Sequence, residues 1–478
     1  MKTKLKKFDE FAHSLFPHEI EYILSIQQFQ NNENIEIIKK IQENLISEKK
    51  VYSFDIELDK RRYSNLKKWI EEKLEAIDVD LLLKWILNFD EKILTDIISV
   101  DEEQFILQKL KQINPTFFHF IRFYEMIEHY RDYLLIRVRK QYYKPVFEFL
   151  SENYLKYTQA VEINKQLNLA TRDIIQRSII SENEFTQWEN FLFETLSNIQ
   201  LNGDTRYKAL IRLSLYYYKS QNYAKLKDLY VAIDKEFTSS TFYSKRILAN
   251  YYANRSLVLA KCSEPKEAER FAYLAIKIKN NDYLFYINNL LYILQQQKKY
   301  TDALKIATAT IPLLKQSIGF YHRIGFTSLY IKTLNNIKQA AKAVSYAQSF
   351  FEVYKKEIFE HRWHLFFTSF FEALLLEEKY EIILSYCKRF QLIKLEKKEQ
   401  NLKFQNNILY WYSLLAQYMT AQITEEKIKK EFQILLESKS ISSKNKLSNG
   451  ILNNELKEYF PDFISLFNKN VPQEAFIF

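Results

Sequence analysis

Hydrophobic residues recur along this chain at helical spacing. Ile35, Ile37, Ile38 and Ile41 form one stripe, and Tyr63, Leu66, Trp69 and Ile70 another. Such positions share a face only on a period near 3.6. Asn31-Asn32, Asn114-Pro115-Thr116 and Asn202-Gly203-Asp204 break the pattern. Pro17 suits a first helical turn. Asp59, Asp78 to Asp80 and Asp90 predict helix starts, because a carboxylate accepts from orphan N–H groups there. Residues 117–143 read as one amphipathic helix, interrupted by Pro145, with a second helix carrying Phe147, Phe149, Leu150 and Tyr154. Ser181-Glu182-Asn183-Glu184 has the reciprocal capping pattern and opens a helix through Trp188 and Phe193.

From 204 onward the spacing becomes regular. Leu226, Ala268, Ala303, Ala340 and Ile383 align as one position, in steps of 42, 35, 37 and 43 residues. Four residues on are Tyr230, Ala272, Ala307, Val344 and Cys387, and seven on are Ile233, Ala275, Thr310, Ala347 and Phe390. Three before stand Tyr223, Pro265, Tyr300, Ile337 and Tyr380. Small residues four and seven apart let a second helix approach its partner closely, and the tyrosine plugs the seam at the turn.

These offsets resemble the tetratricopeptide repeat, a helix–turn–helix unit with a roughly 34-residue period. The match is best for residues 248–281 and 284–317 and looser for 207–238, 321–355 and 364–396. Ser256 and Leu291 stand where the family has glycine, which widens the packing. The resemblance implies an all-α fold, a right-handed α-solenoid of helix pairs preceded by an irregular helical N-terminal region. The expected organisation is a helical region over 1–113, a long-helix connector over 114–203, the repeat array over 204–437, and a mobile loop with a C-terminal helix and tail over 438–478. A further pair, 404–419 and 425–437, is expected to cap the stack.

Composition narrows the class. Four glycines and seven prolines in 478 residues are far below the usual roughly 7% and 5%. A chain so poor in glycine argues against barrels, sandwiches and nucleotide-binding α/β folds, and cannot form a phosphate loop or nucleophile elbow. A non-enzymatic protein without cofactor is expected. Cys262 and Cys387 lie too far apart for zinc or redox spacing. The N-terminal lysines precede no apolar stretch, and no apolar run approaches the roughly 18 residues of a membrane span, so a cytoplasmic chain with no membrane association is expected. The net charge of +10 comes mostly from lysines scattered among glutamates.

The first helix of each pair lines the concave groove in tetratricopeptide arrays. The resemblance therefore assigns a peptide-binding groove to Lys208, Arg212, Asn250, Asn254, Phe285, Asn288, Asn289, Tyr292, His322 and Phe326. Asn254 and Asn289 fall at the same place in successive units; a carboxamide can donate to and accept from an extended peptide backbone, or bond neighbouring helices instead. Lys208 or Arg212 would meet a carboxylate. A protein or extended peptide is the expected partner, with the oligomeric state open.

Two other clusters bear on chemistry. Arg131, Arg137, Arg139, Lys140 and Lys144, interleaved with Tyr130, Tyr133, Tyr142 and Tyr143, have the mixture that phosphate contact and base stacking need. They motivate the alternative of a peptide-responsive regulator whose N-terminal half binds nucleic acid. Glu357, Glu360, His361 and His364 recur at helical steps, but one helix supplies too few ligands for a metal; ion pairing with Lys355, Lys356 and Arg362 is the expected use.

Overall fold

The computed structural model describes residues 5–30, 32–46, 53–55, 58–175, 182–239, 241–316, 319–400, 408–428 and 430–431. Among these every element is helical. The expectations for 438–478, for a cap at Ser181 and for most of 425–437 concern residues outside this set. Two compact units form, Met1–Ile278 and Lys279–Phe478; the division falls inside the region read as one array.

Unit 1 opens with α1 (Lys6–Ser14), α2 (Pro17–Ile26), α3 (Asn32–Ile46) and α4 (Lys60–Ile77). It continues through α5 (Val79–Leu94), α6 (Val100–Leu110), α7 (Phe120–Ile136), α8 (Lys140–Ile175) and α9 (Glu182–Ser197). The pairs α10 (Gly203–Lys219) and α11 (Tyr223–Ile233), then α12 (Lys245–Lys261) and α13 (Pro265–Ala275), complete it. Unit 2 holds α14 (Tyr283–Gln296) with α15 (Tyr300–Thr310), α16 (Phe320–Asn336) with α17 (Ala340–His361), and α18 (Trp363–Leu376) with α19 (Tyr380–Phe390). Then come α20 (Leu392–Gln400) and α21 (Ile408–Met419).

Several starts fall where side-chain chemistry places them. Pro17 opens α2, the Asp59 carboxylate accepts from the Arg61 N–H at 2.9 Å, and Asp78 accepts from the N–H groups of Asp80 and Leu81. Asp90 is different: it lies inside α5 and binds His129 Nδ1 at 2.7 Å. The helix after it starts at Ser99, whose hydroxyl and Glu102 form a reciprocal cap. Nor does Pro145 end a helix. The predicted 117–143 segment divides at Val138 instead, and α8 runs through Pro145 for 36 residues.

The hairpins share one turn. Val138, Gln221, Ser263, Lys298, Lys338 and Glu378 have φ between 55 and 61°, each two positions before the second helix of its pair. In every case the next N–H returns to a carbonyl five residues back: Arg139 to Leu134, Asn222 to Tyr217, Glu264 to Leu259, Lys299 to Leu294, Gln339 to Leu334 and Lys379 to Leu374, at 2.8–3.0 Å. This is the left-handed helix stop that usually takes glycine. Asp96, at φ 60°, makes the same bond through Ile97 to Lys92. The hairpin device therefore begins well before residue 204, at α5–α6 and α7–α8.

The turn also corrects the repeat alignment. Measured from Lys338, the fourth unit's anchor is Ala343, with Ala347 and Phe350 following it and Ala340 preceding it; Ala340 as anchor was three residues too early. The steps become 42, 35, 40 and 40 residues. Ala268, Ala272 and Ala275, then Ala303 and Ala307, then Ala343 and Ala347 are fully buried, which is what close helix approach requires. Aromatic rings fill the pairs where alanine is absent: Phe351 contacts Phe366, Phe367, Tyr386 and Phe390, ring centroids 5.4–6.0 Å apart.

Candidate functional site

In unit 1 the candidate groove residues of α10 are engaged by α8. Arg212 Nε donates to the Leu167 carbonyl at 2.8 Å and to Thr171 Oγ1 at 2.6 Å, and Nη1 donates to the Lys208 carbonyl. Lys208 Nζ lies 2.6 Å from Asp204 and 3.2 Å from Asn164 Oδ1. Neither cation is the open carboxylate anchor that the resemblance implies. The α8 helix supplies the acceptors, and nothing in local sequence told of its packing there. Asn250 and Asn254 on α12 are both half-buried.

The basic-aromatic segment is likewise paired. Arg131 binds Asp132, Arg137 binds Asp96, Arg139 binds Glu103, and Lys144 lies 3.8 Å from Glu148. Tyr130 is fully buried and donates to Glu103, so its ring offers no stacking face. Among the described residues no group of three or more His, Cys, Asp or Glu side chains is placed to hold a metal, and no helix is long and apolar enough to cross a membrane.

Unit 2 gathers its candidates more tightly. The first helices α14, α16 and α18 pack in sequence, α16 against both others. Asn288 on α14 is 8% exposed and donates through Nδ2 to the His322 carbonyl at 2.9 Å. Its Oδ1 has no donor. The Phe285 ring lies 5.5 Å from the His322 ring. Burial first, and then the positive charge of Arg362, hold the His322 imidazole below its ordinary pKa, which keeps it neutral near pH 7. Tyr292 is half-buried, and its hydroxyl accepts from Gln296. Asn289 is buried. Phe326 is 0% exposed and stacks on Tyr330; it is a core residue, because α16 is covered on both flanks, and it cannot line a groove.

Sequence reasoning missed the centre of this cluster. Arg362 is the single residue between α17 and α18. Its guanidinium lies over the Tyr321 ring at 4.2 Å and against Gly325, where a Cβ would come 2.4 Å from Nη1 and 3.3 Å from Asn288 Nδ2. Among the described residues no carboxylate pairs with it. The expected ion pairing occurs at Lys356 with Glu360, 3.8 Å, but not at Arg362; His364 instead bonds Glu396 on α20, 2.7 Å. The available signal was Gly325, one of four glycines and isolated inside a helical pattern, which marks close approach.

What this geometry defines is a helical-pair surface carrying one unspent cation, one unspent acceptor and an aromatic shelf. No family model matches the chain, and no curated protein matches it. Among solved structures it is similar to the TPR domain of P58(IPK), at 12% identity over 71% of this chain and 98% of that one, with a TM-score of 0.16.

Proposed function

We propose that this protein is a non-enzymatic scaffold that holds an extended segment of a partner protein on the first-helix face of unit 2. The observation that carries this reading is Arg362, half-buried and without a carboxylate among the described residues, seated on Gly325 near the buried, unpartnered Oδ1 of Asn288. A partner's carboxylate completes Arg362, a backbone N–H completes Asn288, and Phe285 supplies apolar contact. Leaving a buried acceptor unmade costs about 1–3 kcal/mol, so a ligand that supplies the donor gains from it. A charge-assisted hydrogen bond to the guanidinium adds about 1.5–3 kcal/mol.

The test is fluorescence anisotropy with short labelled peptides, each carrying either a free C-terminal carboxylate or a central Asp or Glu. Arg362→Gln is expected to weaken capture by about tenfold or more, equivalent to about 1.4 kcal/mol. Gly325→Ala acts in the same direction, since its methyl displaces the guanidinium. Circular dichroism checks that helix content is retained. Unchanged affinity in both variants, or no capture of any acidic peptide, overturns the assignment.

A further inference from the structure

Unit 1 carries a second open cleft, of about 240 Å³, between α7, α8 and the start of α10. Its floor is rich in acceptors. Asn202 is 1% exposed and occupies the N-cap of α10 without capping it. Its Nδ2 reaches the Phe118 carbonyl at 3.4 Å, while its buried Oδ1 has no donor. His119 Nε2 lies 2.9 Å from the Val79 carbonyl. A carbonyl accepts only from an N–H, so Nδ1 carries the lone pair. Burial lowers the pKa of this imidazole, with weaker opposing effects from its hydrogen bond and from Asp204 and Asp80. The Asp204 carboxylate completes the floor, facing Lys208.

The mouth has the opposite character. Arg122 and Lys165 line it with side chains 67% and 69% exposed, each holding one acid, Glu125 and Glu162, at 3.0 and 3.3 Å. No aromatic ring other than His119 lines the cleft, so it has no platform on which a nucleobase would stack. A bare polyamine meets cations at the entrance, and a simple anion meets lone pairs at the base. The ligand that satisfies both ends has an ammonium with a carbonyl or carboxylate beside it.

We propose that this cleft binds a free α-amino group, with the ammonium on Asn202 Oδ1, His119 Nδ1 and Asp204 and the adjoining carboxylate or peptide carbonyl toward Arg122 and Lys165. A free amino acid and the amino terminus of a peptide share this chemistry. The site lies wholly in unit 1 and is independent of the reading of unit 2.

Isothermal titration of the full chain with L-alanine, trialanine and the N-acetyl form of each tests it. At least one free amine is expected to bind, and its acetylated form to bind at least about tenfold more weakly, about 1.4 kcal/mol. Binding of trialanine without alanine identifies a peptide amino terminus; binding of alanine identifies a free amino acid. Asp204→Asn should weaken the same ligand, with a circular dichroism melt to check folding. The acetylation comparison requires no variant. Equal binding of free and acetylated compounds, or no heat from any of them, overturns the proposal.

Discussion

The hairpin turns of unit 2 make a quantitative prediction about backbone strain. Lys298, Lys338 and Glu378 occupy the left-handed region at φ 58, 61 and 55°. All three are exposed, and their side chains make no hydrogen bond or ion pair among the described residues, so replacing them removes almost no side-chain contact. A non-glycine residue there costs about 1–2 kcal/mol. Glycine relieves that cost but adds about 0.5–1 kcal/mol of backbone entropy to the unfolded chain. The difference is a net gain of about 0.5–1 kcal/mol per site. The turns are separate and share no partner, so their effects should add, giving about 2 kcal/mol for the combined Lys298→Gly, Lys338→Gly and Glu378→Gly variant. At roughly 2–4 °C per kcal/mol, the melting temperature of unit 2 should rise by about 4–8 °C. Urea titration followed by circular dichroism measures the change. Lys379→Gly is the control: one residue beyond a turn, at φ −86°, it gains no relief and should lose about 0.5–1 kcal/mol. If the triple variant loses stability as the control does, the left-handed turns are not strained and the reasoning fails.

Two further predictions concern buried charge. Lys277 donates to the carbonyls of His13 and Leu15 at 2.8 and 3.0 Å, and burial drives its pKa down to about 8 despite the opposing attraction of Glu19. Between pH 8 and 10 the unfolded chain binds the extra proton, so stability should rise with pH by about 1–3 kcal/mol. Above pH 10 it should fall, since burial raises the pKa values of Tyr243 and Tyr252; thermal melts of Lys277→Met should lose the rising limb. In unit 2, Glu396 accepts from His364 Nε2 at 2.7 Å and from the N–H groups of Leu409 and Tyr410 at 3.2 and 3.0 Å, which ties α20 to the start of α21. Glu396→Ala orphans all three and should cost about 3 kcal/mol in urea titration; Glu396→Gln should cost less, and equal costs would refute the capping role.

The all-helical class and the second-helix positions were legible because periodicity and small-residue spacing are local signals. Ala268, Ala272, Ala303 and Ala307 are buried as their spacing predicts. The register of the fourth unit was not, because its turn residue, Lys338, carries no chemical mark: the bond from Gln339 to Leu334 defines the turn, and a backbone bond leaves no residue type behind. Glycine scarcity points to the all-helical class without removing left-handed turns: nine non-glycine residues among those described have positive φ. A geometry that glycine favours is also open to lysine or glutamate wherever the surrounding helices repay the strain.

Which first-helix side chains face a partner depends on what lies across from each helix, and that is a tertiary fact. On α10 the apolar spacing exposes Lys208 and Arg212 on the expected face, but α8 lies against it and presents Leu167, Thr171 and Asn164 as acceptors. Two cations that looked like ligand anchors are thereby turned into bonds within unit 1. On α16 Gly325 is buried, and its absent side chain admits a guanidinium from the following helix boundary. A cation buried between helices ordinarily draws a carboxylate with it, because an unpaired charge is costly to desolvate. Arg362 has Tyr321 beneath it and, among the described residues, no carboxylate paired with it. The face on unit 2 keeps a cation that no described carboxylate pairs with, and that residue lies in a helix junction that repeat spacing does not reach.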